Sequence, residues 1–235
     1  MFRVDERSIS FMRDCADYTG CYKSVADWIE PYISGMNEVY EVGCGIGRLS
    51  VELAHCCRHI TAIDNNALAV TELKDTIHRR TITNVTALCA DAFELHDTGC
   101  DALVSMRFGS LDELDGIASR VGAKLIIIIA RSTKARRFCM EADEHALYGK
   151  SGLDALDGGD RVIDTMDISL DMGQPFSCME DAQSFFELYS FGKHGLSDPL
   201  EKLIRTGNSE FPLYYPAISD FTLYVLRPQS PPGRT

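Results

Sequence analysis

At 235 residues, with 45% hydrophobic and 25% charged residues, the chain is long enough for one α/β domain with a sizeable core, which excludes disordered and fibrous classes. Its 23 Lys and Arg stand against 35 Asp and Glu, a formal charge of −12 that repels phosphate backbones and anionic lipid heads, so nucleic acid and membrane surfaces are disfavoured partners. The longest strongly apolar run, Leu125 to Ala130, is far short of the roughly 20 residues needed to cross a bilayer.

The N-terminal stretch lacks the apolar segment of a signal peptide, so a cytoplasmic location is expected. Nine cysteines, an odd number with no CxxC pair, read as reduced thiols rather than a disulfide framework. Residues 1–35 form an N-terminal helical segment, packed or acting as a lid, in which Ser24-Val-Ala-Asp27 resembles a capping box ahead of Trp28, Ile29 and Ile33.

From Glu38 onward short apolar strands alternate with amphipathic helices, the pattern of a doubly wound, mostly parallel sheet. The first strand, Val39 to Val42, runs into a glycine turn, and a helix carrying Ile46, Leu49, Leu53 and Cys57 on one face follows. Strands are expected at His59 to Ile63, Val85 to Cys89, Asp101 to Met106 and Lys124 to Ala130, with a helix from Ala67 to His78. Further along, Val162 to Leu170 reads as a strand and Met179 to Tyr189 as a helix. Phe221 to Leu226 is a closing strand ahead of a Pro-rich tail, expected to be disordered over 228–235. Residues 36–227 are thus taken as one domain, with an insertion or substrate region at about 131–215.

The chemistry concentrates in Glu41-Val-Gly43-Cys44-Gly45-Ile-Gly47, between a strand and a helix. Glycines there permit a sharp turn and close approach of a ligand to the main chain. A dinucleotide-binding GxGxxG would put its third glycine at position 48, which is Arg48, so the spacing does not fit a pyrophosphate clasp.

The motif resembles the first motif of class I S-adenosylmethionine-dependent methyltransferases, over roughly residues 38–130. The resemblance implies a Rossmann-like, seven-stranded sheet with an antiparallel closing strand. It implies S-adenosylmethionine as cofactor and S-adenosylhomocysteine as product, with Glu41, Gly43, Cys44 and Gly45 in the cofactor loop. Asp64, with Asn65 beside it, matches the acid that takes the ribose hydroxyls, a task suited to a carboxylate because it only accepts. Asp91 with Ala92 matches the adenine-reading position, and Met106 the region of the methionine moiety. No residue is assigned as a catalytic base, because in-line methyl transfer depends chiefly on positioning.

The acceptor is less defined. The Asn-Pro-Pro-Tyr type motif of amino-methylating relatives is absent, with Ser105-Met-Arg-Phe108 in its place. Arg107 and Arg131 are the substrate-contact candidates, with His145, His194, Tyr214 and Tyr215 behind them and Tyr18 as a lid residue. Arg131, Lys134, Arg136 and Arg137 form the dense basic cluster of the chain, suited to an anionic substrate or a solvated helix face. A small-molecule acceptor is the leading expectation. The alternatives are an RNA methyltransferase using that cluster, a corrinoid-pathway methyltransferase, and a non-catalytic cofactor-binding partner subunit. No metal is expected, because the side chains of His55 to His59 diverge, and the sequence does not determine monomer or homodimer.

Overall fold

The computed structural model describes residues 5–96, 98–132, 161–189 and 199–228. Two helices come first, α1 (Glu6–Thr19) and α2 (Cys21–Ile33), followed by β1 (Val39–Val42), α3 (Arg48–Leu53), β2 (Ile60–Asp64), α4 (Ala67–Arg79) and β3 (Val85–Cys89). The chain continues through β4 (Ala102–Met106), α5 (Leu111–Val121), β5 (Leu125–Arg131) and β6 (Arg161–Asp171). Then come β7 (Gln174–Phe176), α6 (Met179–Leu188), β8 (Ile204–Arg205), β9 (Leu213–Tyr215) and β10 (Ile218–Pro228).

Seven strands form one sheet in the order β3-β2-β1-β4-β5-β10-β6. The first five are parallel, and β10 runs antiparallel to both β5 and β6. This is the Rossmann-like, mostly parallel sheet expected from the sequence. The strand order reverses between β1 and β4, which opens a crevice beyond their C-terminal ends, where ligands bind in open α/β sheets.

Strand pleating sorts the core into two layers. Val39, Ile60, Val104, Ile127 and Ile129 face α2 and α3 through Val25, Ile29, Ile33, Leu49 and Leu53. Tyr40, Val42, Leu103, Ile126 and Ile128 face α5 through Leu114, Ile117, Ala118 and Val121. Both faces of the central strands are therefore apolar, which is why β5 reads as a run of isoleucines.

Four local features differ from the sequence expectation. α2 begins at Cys21 rather than Ser24, because Gly20 at φ 65° closes α1 and opens α2 at once. The capping box lies at the start of α1, where Ser8 N–H donates to Asp5 Oδ1 at 2.9 Å and Asp5 N–H to Ser8 Oγ at 2.8 Å. α3 ends at Leu53, and Cys57 lies beyond it with its thiol 3.4 Å from the His59 carbonyl. α5 adds an element to those expected, bounded by a Ser110–Glu113 capping box and by Gly122 at φ 79°.

Between β6 and β10, the strands β7, β9 and β8 make a small antiparallel sheet. With α6 and α1 they share a second core of Phe11, Phe176, Ala182, Phe186 and Tyr215. The opposite side of α1 rests on the sheet domain through Ile9, packed with Ile46 and Ala69. Thus α1 bridges a cap to the glycine turn. Among the described residues no helix is long and apolar enough to cross a membrane.

Candidate active site

The turn after β1 is fixed from both sides. Cys44 N–H donates to the Ile63 carbonyl at 3.0 Å, and Gly47 N–H returns to the Cys44 carbonyl at 2.9 Å. Gly43, Gly45 and Gly47 have φ of 68°, 54° and 70°. Their roles differ: a Cβ at Gly43 would stand 2.3 Å from the Phe108 ring and one at Gly47 2.3 Å from Leu73, whereas one at Gly45 would meet nothing within 4 Å. Two glycines are thus demanded by packing, and the third leaves bare main chain toward open space.

Asp64, at the end of β2, accepts from Gly45 N–H at 2.8 Å through Oδ2 and from Asn66 N–H at 2.9 Å through Oδ1. Each oxygen keeps accepting capacity for a further donor. Asn66 in turn caps α4 by accepting from Ala69 N–H at 3.0 Å. The end of β3 is tied to the same place by Ala90 N–H donating to the Asp64 carbonyl at 3.1 Å. Next to it, exposed Asp91 accepts from Phe93 N–H at 2.9 Å and starts the short 3-10 turn that holds buried Ala92.

Across the crevice, buried Ser105 donates to the Phe108 carbonyl at 2.8 Å and shapes the turn after β4. Arg107 takes a left-handed φ of 63°, and its N–H donates to the Ile129 carbonyl at 3.0 Å. Arg131 ends β5 opposite Phe221 of β10.

A cavity of about 740 Å³ lies between this edge of the sheet and the cap. Its wall includes Glu41, Gly43, Cys44, Gly45, Met106 and Arg107 from the sheet side. Met12, Cys15 and Tyr22 come from α1 and α2, and Gln174, Phe185, Tyr189, Lys202 and Tyr215 from the cap side.

Burial sets the electrostatics of that wall. Glu41, 3% exposed, accepts from the Ser50 hydroxyl, and burial pushes its carboxyl up to about 8, with the nearby Asp64 charge adding to the rise. The same burial raises the Cys44 thiol, so its sulfur stays protonated. Buried Arg48 pairs with Asp17, which also takes Arg80 at 3.2 Å. Burial lifts the Tyr22 hydroxyl above the usual phenol range and that of Tyr189 up to about 12.

Of the residues singled out by the sequence, Glu41, Gly43, Cys44, Gly45, Met106, Arg107 and Arg131 share the cavity wall. Asp64, Asn65, Asp91 and Ala92 lie at the ends of β2 and β3, next to the glycine turn and outside that wall. Tyr215 lines the cavity. Tyr214 instead donates to Asp171 and stacks near Tyr18, with ring centroids 5.1 Å apart. Lys134, Arg136, Arg137, His145 and His194 lie outside the described residues. Sequence reasoning passed over Tyr22, Arg48, Gln174, Phe185, Tyr189 and Lys202. Arg48 alone carried a local signal, standing directly after the glycine motif.

A family profile described as "Methyltransferase domain" matches residues 39–121, from β1 to the end of α5. No curated protein gives a significant sequence match. Solved structures share the fold at low identity. A SAM dependent methyltransferase from Aquifex aeolicus is 15% identical with a TM-score of 0.54, covering 96% of this chain and 100% of that one. The YcgJ protein of Bacillus subtilis is 10% identical with a TM-score of 0.55, covering 90% and 99%. A precorrin-6y C5,15-methyltransferase from Geobacter metallireducens is 13% identical with a TM-score of 0.51, covering 88% and 86%.

Proposed function

We propose that the chain, whose residues 39–121 match a methyltransferase-domain profile, is a class I S-adenosylmethionine-dependent methyltransferase and that it methylates a small-molecule acceptor held under the cap. The observation that carries this reading is the cavity of about 740 Å³, walled by the glycine turn on one side and by the cap on the other. That volume falls within the range of about 300–1,000 Å³ usual for small-ligand sites.

The residues present fit the cofactor. Gly45 offers main chain with no side chain in the way, and Asp64 retains accepting capacity on both oxygens for a pair of ribose hydroxyls, with Asn65 beside it. Asp91 and Ala92 would take the adenine edge. Glu41, Gly43, Cys44 and Met106 would flank the methionine end. When bound, the cofactor supplies an electrophilic methyl group on a sulfonium.

The chain's own contribution is orientation and exclusion of water. Holding a nucleophile and a methyl group in near-attack geometry is worth about 7–11 kcal/mol in favourable intramolecular cases, so no protein nucleophile is required. Arg107 and Arg131 would contact the acceptor from the ends of β4 and β5. Met12, Phe185 and Tyr215 close the space around it, which strengthens each polar contact inside.

The test is to incubate the full chain with methyl-tritiated S-adenosylmethionine and a protein-free metabolite extract, and in parallel with total RNA. Label is expected in a low-mass product that is chromatographically resolved from S-adenosylmethionine and absent when the chain is omitted. Transfer into RNA alone would favour a polynucleotide acceptor and contradict the proposal.

A further inference from the structure

The cavity carries a charge opposite to that of the molecule around it. The whole chain has a formal charge of −12. Yet among the described residues the cavity wall contains Arg48, Arg107, Arg131 and Lys202 against a single acid, Glu41. That acid, with its carboxyl pushed up to about 8, is mostly uncharged at neutral pH, so it offsets little of the positive field.

The four cations are not equivalent. Arg48 is already matched by Asp17, and Arg131 and Lys202 make contacts of their own. Arg107 is exposed, and among the described residues it makes no ion pair. Its backbone sits at φ 63°, a left-handed conformation costly for a residue with a Cβ, and places the side chain at the strand-order reversal between β1 and β4. Tyr22 lines the same cavity as Arg107, and its hydroxyl is a donor at neutral pH. Two donors, from the turn after β4 and from α2, thus line one cavity. Around them the wall is apolar, with Met12, Met106, Met172, Phe185 and Pro216.

We infer that the acceptor is a small organic acid: an apolar body seated against these methionines and Phe185, and a carboxylate held by the Arg107 guanidinium with the Tyr22 hydroxyl. Arg107 acts here as a specificity-determining residue. The inference rests on the small-molecule reading above and adds the class of molecule.

Saturation-transfer NMR titrations on the full chain, with saturating S-adenosylhomocysteine, test it using matched pairs: benzoate with benzamide, indole-3-acetate with indole-3-acetamide, octanoate with octanamide. At least one acid is expected to bind about tenfold or more tighter than its amide, the scale of one charge-assisted hydrogen bond. Arg107→Gln and Arg107→Ala should erase that preference while leaving S-adenosylhomocysteine affinity within about twofold. Lys23→Ala, on an exposed helix face, should change neither.

Acids and amides binding alike, or no binding by either, overturns the inference. So does a preference that survives in both Arg107 variants, or a loss of S-adenosylhomocysteine binding in them, which would assign Arg107 to the cofactor's own carboxylate. Wild-type protein that fails to bind S-adenosylhomocysteine is a separate failure, of the methyltransferase reading. The matched pairs are therefore also run without it, where the acid preference reads independently.

Discussion

Three glycines within five positions do different work, and the difference lies in what each would touch. At Gly43 a methyl group would enter the Phe108 ring space, whereas at Gly45 it would project into open space. Gly43→Ala is therefore expected to lower unfolding free energy by about 2–4 kcal/mol from overpacking plus left-handed strain. Gly45→Ala should cost only the strain, about 1 kcal/mol, while weakening S-adenosylhomocysteine binding by tenfold or more. Denaturant unfolding and calorimetric titration of the two variants separate the effects; equal losses of stability would contradict the assignment.

Glu41 supplies a pH dependence of known sign. Below about 4.5 both folded and unfolded forms hold the proton, and between there and about 8 only the folded form does. Stability therefore falls as pH rises through that window. Glu41→Gln should flatten this part of the profile, as read from thermal unfolding between pH 5 and 8, and an unchanged slope would contradict the buried, protonated state. These residues were legible in the sequence because the motif is local, with a strand, a glycine turn and a helix in one short stretch. Tyr22, Phe185 and Tyr189 were not, because folding alone brings α2 and α6 to the mouth of β1.

At the scale of elements, α2 belongs to the core and α1 to the boundary between core and cap. Val25, Ile29 and Ile33 of α2 are fully buried against the sheet, while α1 divides its apolar residues between the cap core and the glycine turn. Ile29→Ala is expected to cost about 2–5 kcal/mol of global stability, the range for a large-to-small change in a packed core. Amide exchange should then quicken across β1 to β5 together. Faster exchange confined to α2 would contradict its place in the main core.

The parallel strands were readable because buried strands are continuous apolar runs, and β1 and β3 fall where the sequence put them. The cap was not, since β7, β8 and β9 have only two or three residues each, too few to show a period. α5 was hidden by Gly116 and by the acids Asp112, Glu113 and Asp115, which dilute its apolar face even though Ser110 and Glu113 mark its start.

For the whole molecule, sheet topology gathers residues distant in the chain. Reversal of strand order between β1 and β4 puts Gly45, Asp64 and Asp91 at neighbouring strand ends on one side, and Arg107 and Arg131 on the other. An acidic exterior surrounds a cavity with a basic wall, which repels bulk polyanions while favouring a small acid that fits beneath the cap. The adenosyl group is expected to be held at the β1 and β2 ends, and calorimetric titration with S-adenosylhomocysteine, S-adenosylmethionine and NAD measures that directly. Both adenosyl ligands are expected to bind wild type, NAD is not, and Asp64→Ala should lose about tenfold or more in affinity for each. Tight NAD binding, or an Asp64→Ala variant that binds both adenosyl ligands as well as wild type, would contradict it.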